Sequence, residues 1–325
     1  MLKVARAVIP ISKFIIRMIR KALYSRHLFN NWLELLFRSA LIELGFNLKL
    51  KARINGCTIN LEPSTFKYFV SWASTGIFKA VDCKNGKLFV NEVEVDDIND
   101  MMLHNSELLA KVLGWRYDEN LKHWYKNSIR FKNMHVFILT TFDYGEYSFL
   151  NVKNKDVVDV GAFIGDTAIY FALKGARRVI AIEPHPEAYK EMLENIKLNS
   201  LESVIVPINA GLASKPGWIC IDKTRDTGGA YHRPCNINEG VPAITLADII
   251  NKYDIDTNNS VLKIDCEGCE RDIILNDYEY AKLFKEIAVE YHQNLLEILK
   301  ALIKDYRCEI LIGDTRIGVA YCTKR

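Results

Sequence analysis

The chain lacks a long uninterrupted apolar run. Lys13 and Arg17 break up its basic, partly apolar start, and no small-residue cleavage site follows. Neither a signal peptide nor a spanning helix is therefore expected. Eight cysteines are scattered without the dense, even spacing of a secreted disulfide scaffold, so reduced thiols and a cytoplasmic setting are the expectation. Acidic residues are missing from the first thirty positions, which hold Lys3, Arg6, Lys13, Arg17, Arg20, Lys21 and Arg26. These seven charges exceed the +3 of the whole chain and leave the remainder at −4, which argues against a protein-wide nucleic-acid surface. A glycine-rich pyrophosphate loop is missing too. In GAFIGD, Phe163 and Asp166 stand where a G-x-G-x-x-G turn has its second and third glycines, and both are poor neighbours for a pyrophosphate.

What is present suffices for a globular protein. The 325 residues, 49% of them hydrophobic, can bury a full α/β domain and leave room for a smaller region. From Val4 to Leu23 the apolar residues Val4, Val8, Ile11, Ile15, Met18 and Ile19 recur at helical spacing opposite Arg6, Lys13, Arg17 and Arg20, with Pro10 among the polar positions. This basic amphipathic helix suits an anionic membrane surface or an ordinary docked helix. Asn30 to Leu44, apolar on both sides and closed by Gly45, reads as a packed helix with Trp32 in the core. Short alternating segments follow from Leu48 to Val152, with hairpin signals at Asn55-Gly56 and Asn85-Gly86 and a helical interval near Asp97 to Leu113.

The stretch Asp156 to Glu183 reads as strand, glycine turn, helix, strand and acidic end. Glu183 lies about twenty residues after the turn, where such folds place the carboxylate that holds ribose hydroxyls. Helix and strand patterns then alternate to the terminus, which ends in two strands joined by a tight turn, CEILIGDTRIGVAYC. A doubly wound sheet with an antiparallel pair near its edge is expected. S-adenosylmethionine has no phosphate and carries a cation, so carboxylates such as Asp159 and Asp166 near the turn suit it better than a dinucleotide.

KIDCEGCERDII closely resembles the K-I-D-x-E-G-x-E signature of FkbM-type S-adenosylmethionine-dependent methyltransferases, and DVGAFIGDTA resembles their glycine turn. AIEPHPEAY, ITLADII and the pair Glu290-x-His292 extend the likeness over about Val152 to Tyr321. It is weaker before that, in NWLELL and GEYSFL. Phe163 departs from the family, which usually shows a small polar residue there. The resemblance implies an α/β fold, a Rossmann-like seven-stranded class I methyltransferase sheet, behind an α+β N-terminal region. Residues 1–28 would be the basic helical segment, 29–150 the α+β region and 151–325 the methyltransferase domain.

It also implies O-methyl transfer to a sugar, glycolipid or other natural product. Candidate cofactor contacts are Asp159, Gly161, Ala162, Gly165, Asp166, Thr167, Glu183, Asn209 and Asp265. Candidate catalytic residues are Asp265 and Glu267 at the end of the fourth strand, Lys263 alternating with Asp265, and His292, whose ordinary pKa near neutrality suits a general base. Cys266-x-x-Cys269 and His232-x-x-Cys235 have zinc or redox spacing, with incidental thiols as the default and no metal expected. Asp222 to Gly240 is a lid or a plain connection. Two other functions compete. One is tRNA base methylation, to which the helix after Glu183 also bears a likeness, although Asp265-Cys266-Glu267 replaces the Asn-Pro-Pro element of amino-methylating enzymes. The other is a non-catalytic scaffold that retains the fold.

Overall fold

The computed structural model describes residues 23–24, 26–221, 232–235, 240–292, 294–313 and 317–325. The basic helix expected over 4–23, and with it the membrane contact, falls outside them except for Leu23. Among the described residues no helix is long and apolar enough to cross a membrane. The chain divides into two compact units that meet in sequence between Gly145 and Glu146.

The first unit is an α+β assembly of short elements. Asn55 and Gly56, with φ of 40° and 101°, turn the hairpin of Leu50–Ile54 and Cys57–Leu61. Asn85 and Gly86 do the same for Val81–Lys84 and Lys87–Val90, where both turn residues must adopt positive φ. Cys57 and Cys83 join the two hairpins. Phe29, Phe66, Phe69 and Phe78 form an aromatic core, with Phe69 stacked on Phe78 at 4.5 Å. The helix Trp32–Glu43 corrects the expectation of a fully packed element. Leu35 is fully buried and Trp32 only half-buried, while Leu33 and Phe37 are 64% and 66% exposed, because a helix against one hairpin has only one covered face. The interval 97–113 is two helices, Ile98–Leu103 and Ser106–Val112.

The second unit is built on a seven-stranded sheet. Its strands are β1 (Asp156–Val160), β2 (Arg178–Ile182), β3 (Ile205–Ile208), β4 (Ser260–Ile264), β5 (Glu286–His292), β6 (Tyr306–Gly313) and β7 (Ile317–Lys324). They lie in the order β3-β2-β1-β4-β5-β7-β6, parallel except for β7, which is antiparallel to both neighbours. This is the class I methyltransferase order. Every residue of β1 and β4 is buried, as helices on both faces of a parallel sheet require, and that explains why apolar residues face both ways along them. The helices that matter for the site are α1 (Asp166–Leu173), α2 (Pro186–Leu198) and α3 (Cys269–Asn276). The reversal of strand order between β1 and β4 opens a crevice at their carboxyl ends.

Two expectations are corrected here. Asp222 to Gly240 is not one structureless segment: His232–Pro234 is a strand paired with Gly217–Ile221 in a separate four-stranded sheet, and residues 222–231 and 236–239 lie outside the described residues. All eight cysteines are paired, as Cys57–Cys83, Cys220–Cys235, Cys266–Cys269 and Cys308–Cys322, so none is the reduced thiol expected from their scattered spacing. Sequence distance hid the pairing. Cys308 and Cys322, for example, are brought opposite one another only by the β6–β7 register.

Candidate active site

The glycine turn after β1 is shaped by contacts within the protein. Gly161 has φ +75°, and a Cβ there would lie 1.6 Å from the Asp265 carbonyl oxygen, so the ends of β1 and β4 approach as closely as glycine permits. Gly165 has φ +86° and packs on Met192 of α2. Between them Phe163 holds φ +47°, a left-handed conformation that small polar residues tolerate better than a bulky one. The backbone N–H groups of Gly161 and Ala162 both donate to the Ile182 carbonyl, which joins the turn to the end of β2.

Glu183 follows β2 at that junction. It is 6% exposed and accepts N–H groups from Phe163 at 2.9 Å and His185 at 2.7 Å. Burial pushes its carboxyl up to about 7, although both N–H groups oppose the shift. Asn209 donates its side-chain amide to the Glu183 and Pro184 carbonyls, so it braces this loop from the end of β3.

Asp159 and Lys263 face one another in register on β1 and β4 and are fully buried, with Nζ 3.0 Å from Oδ1. Thr167 of α1 donates to the other Asp159 oxygen at 2.7 Å. Lys263 also donates to the Gly161 carbonyl at 2.9 Å and lies 3.6 Å from Asp265. Burial favours a neutral lysine, but Asp159 and Asp265 outweigh it and hold the pKa above its ordinary value. Asp159 thus lies beneath the turn, covered by Lys263 and Thr167, and Lys263 is a buried cation shared by Asp159, the turn and Asp265. Asp166 and Thr167 are buried in the first turn of α1.

The other side of the crevice is acidic. Asp265 accepts from the Tyr147 hydroxyl at 3.2 Å. The β4–β5 register pairs Ile264 with Val289, which sets Asp265 beside Glu290. Burial, then the neighbouring Asp265 carboxylate, raise the Glu290 pKa well above the ordinary range. Burial first, and then Asp265, likewise raise the Tyr147 phenol, which keeps its proton and remains a donor. His292 has Glu270 3.6 Å from Nδ1, Glu267 3.6 Å from Nε2 and Glu290 3.8 Å from Nε2. Glu270 first, with Glu267, raises its pKa against the opposing effect of burial. The shift favours the imidazolium relative to a free imidazole. Sequence reasoning left Glu290, Glu270 and Tyr147 out of the site, although each lay in a motif it quoted. The signal for Glu290 was its position at the end of a strand next to the one carrying Asp265. Among the described residues no group of three His, Cys, Asp or Glu side chains is arranged to hold a metal ion.

The sheet order and the crevice together define a Rossmann-like class I methyltransferase domain. Residues 159–307 match the methyltransferase FkbM domain model. Over 159 residues the chain is 28% identical to uncharacterized protein 158B of Sulfolobus islandicus rod-shaped virus 1, spanning 48% of this chain and 74% of that protein. Over 52 residues it is 40% identical to a putative protein N5-glutamine methyltransferase of Methanocaldococcus jannaschii, spanning 16% of this chain and 26% of that one. A solved methyltransferase FkbM from Methylobacillus flagellatus KT aligns with 80% of this chain and 60% of its own length, at 13% identity and a TM-score of 0.42. The chain thus spans under two thirds of that structure and about a quarter of the glutamine methyltransferase.

Proposed function

We propose that the chain transfers a methyl group from S-adenosylmethionine to a hydroxyl of a small-molecule or glycan acceptor. The observation that supports this reading is the meeting at one sheet edge of the Gly161–Gly165 turn and Glu183 with Asp265, Glu267, Glu290 and His292. The residues present fit the cofactor. Each Glu183 oxygen holds one backbone N–H and keeps lone-pair capacity for a ribose hydroxyl, and the turn replaces phosphate-binding glycines with Phe163 and Asp166. When bound, the cofactor supplies an electrophilic methyl group on a cationic sulfur.

The rest is done by side chains of this chain. A neutral hydroxyl must lose its proton as its oxygen bonds to the methyl carbon. Asp265, held in place by Lys263 and Tyr147, takes that proton, and Glu290, which keeps its own proton more readily than an ordinary carboxylate, supports Asp265 from the neighbouring strand. His292, flanked by Glu267 and Glu270, orients the acceptor oxygen. A cytoplasmic setting is retained in this reading only for a cell whose cytosol tolerates protein disulfides.

Calorimetric titration with S-adenosylhomocysteine, comparing wild type with Glu183→Ala, tests the cofactor side, and equal affinities would count against it. Radiolabelled transfer from S-adenosylmethionine to a panel of glycans, glycolipids, proteins and tRNA tests the reaction. Label on tRNA alone would overturn the hydroxyl reading. Asp265→Asn should lose at least ~100-fold in turnover while keeping S-adenosylhomocysteine affinity.

A further inference from the structure

Cys266 and Cys269 are joined within the loop that leads from β4 to α3, with a Cα separation of 5.5 Å. The other three pairs link residues 14, 15 and 26 apart, whereas these two are three apart. A bond closing so short a loop removes less freedom from the unfolded chain than the other three do, so its effect on local geometry weighs more. That geometry belongs to Glu267 and Gly268, the two residues between the cysteines. Glu267 has φ +54° and Gly268 has φ +130°, two successive left-handed residues within the closed loop. Glu270 clamps the same loop, accepting N–H groups from Cys266 at 3.0 Å and Gly268 at 2.9 Å. The resulting fold holds Glu267 3.6 Å from His292.

The two sulfurs differ in access. Cys266 is 7% exposed, while Cys269 is partly exposed and opens α3, where the helix N-terminus favours a thiolate. Cys308 and Cys322, in contrast, are both buried, at 2% and 0% exposure, on adjacent strands.

We propose that Cys266 and Cys269 form a reversible thiol–disulfide site whose reacting partner is a dithiol, and that its state sets the approach of Glu267 to His292. A thiolate of the dithiol attacks Sγ of Cys269, forming a mixed disulfide and releasing Cys266 as a thiolate. The second thiol of the partner then attacks the partner's own sulfur in the mixed disulfide and releases Cys269. The cysteines gain two electrons and take up the two protons given up by the dithiol, which leaves as its own disulfide. In the open form Glu270 alone clamps the loop, and Glu267, already 38% exposed, turns away from His292.

This inference does not depend on the methyl-transfer reading, and its test needs neither cofactor nor acceptor. The full chain is titrated with dithiothreitol, alkylated with iodoacetamide and mapped by peptide mass, while the ring signals of His292, assigned with His292→Gln, are followed against pH by NMR. The expected result is that the 266–269 bond opens at a lower dithiothreitol concentration than the 308–322 bond. The His292 midpoint should also fall toward the ordinary imidazole range on opening, because Glu267 has left while Glu270, Asp265 and Glu290 stay. A Cys266→Ala/Cys269→Ala variant, checked for folding by circular dichroism, should show the same lowered midpoint without reductant. Should that variant misfold, the reduced wild type supplies the open form. Resistance of the bond until the chain unfolds, or opening that leaves the His292 midpoint unmoved, would overturn the proposal.

Discussion

Glu183 shows how one side chain links burial to ligand binding. Its pKa in the fold, about 7, lies above the ordinary carboxylate value of 4.5, so the folded chain binds this proton more tightly than the unfolded chain does. The associated stability is fully present below the ordinary value and is lost as pH rises from there to about 7, a change of roughly 3 kcal/mol at most. Ribose hydroxyls donate to a carboxylate, so the ionised form is the one that binds. Affinity for S-adenosylhomocysteine should therefore rise up to about tenfold between pH 6 and pH 8 and then level off. Calorimetry across that range checks this, and Glu183→Gln should remove the pH dependence. At Gly161 the constraint is steric, since any Cβ meets the Asp265 carbonyl. Gly161→Ala should cost about 4 kcal/mol or more, read as a lowered denaturant midpoint. Both residues were legible as members of a glycine turn with a distant acid, but the reason for Gly161 was not. The sequence suggests a backbone approaching a ligand, whereas the atom it makes room for belongs to Asp265, just after β4 and about a hundred residues away.

At the scale of elements, the sheet separates stability from chemistry along each strand. At the amino end of β1, Asp156 is fully buried and accepts three hydrogen bonds, from Arg177 at 3.0 and 2.8 Å and from Arg178 at 2.6 Å. Asp156→Ala would remove three charge-assisted hydrogen bonds to partly exposed guanidinium groups and should lower stability by roughly 1.5–3 kcal/mol. S-adenosylhomocysteine affinity should stay within about twofold, because the strand's length separates Asp156 from the turn. Chemical denaturation and calorimetry on the same variant check both halves. The strands β1, β2 and β4 were legible because burial on both faces leaves short clusters of apolar, mostly β-branched residues. The four-stranded sheet was not, since its members are only two to five residues long and mostly half-buried, which gives neither a run nor an alternation. Lys263 falls between these cases. A charge inside an apolar strand requires a buried partner, and sequence alternation proposed Asp265. The nearer partner is Asp159 at 3.0 Å, across the β1–β4 register, which no spacing within one strand can reveal.

Over the whole molecule the cysteines make the largest difference between what sequence spacing suggests and what the fold brings together. Even spacing in a short chain signals a disulfide framework because neighbouring loops are stapled locally; here Cys57–Cys83 and Cys308–Cys322 instead join elements already paired or packed through backbone. In the chain-entropy model, closing loops of 14 to 26 residues is worth about 3 kcal/mol each, against total stabilities of only about 5–15 kcal/mol for a typical domain. Each unit contains at least one such link, Cys57–Cys83 in the first and Cys220–Cys235 and Cys308–Cys322 in the second. Full reduction with a phosphine should therefore lower the melting temperature of both units, by roughly 6–12 °C per link broken for units of this size. Cys308→Ala/Cys322→Ala should lower only the transition that carries the second unit, which differential scanning calorimetry resolves when the two units unfold separately. Cys266→Ala/Cys269→Ala should lower the second unit's transition by less, roughly 4–8 °C, since so short a closed loop is worth only about 2 kcal/mol in the same model. A melting temperature that is indifferent to reduction would mean that backbone pairing alone sets the stability of the sheet and that the cross-links add nothing to it.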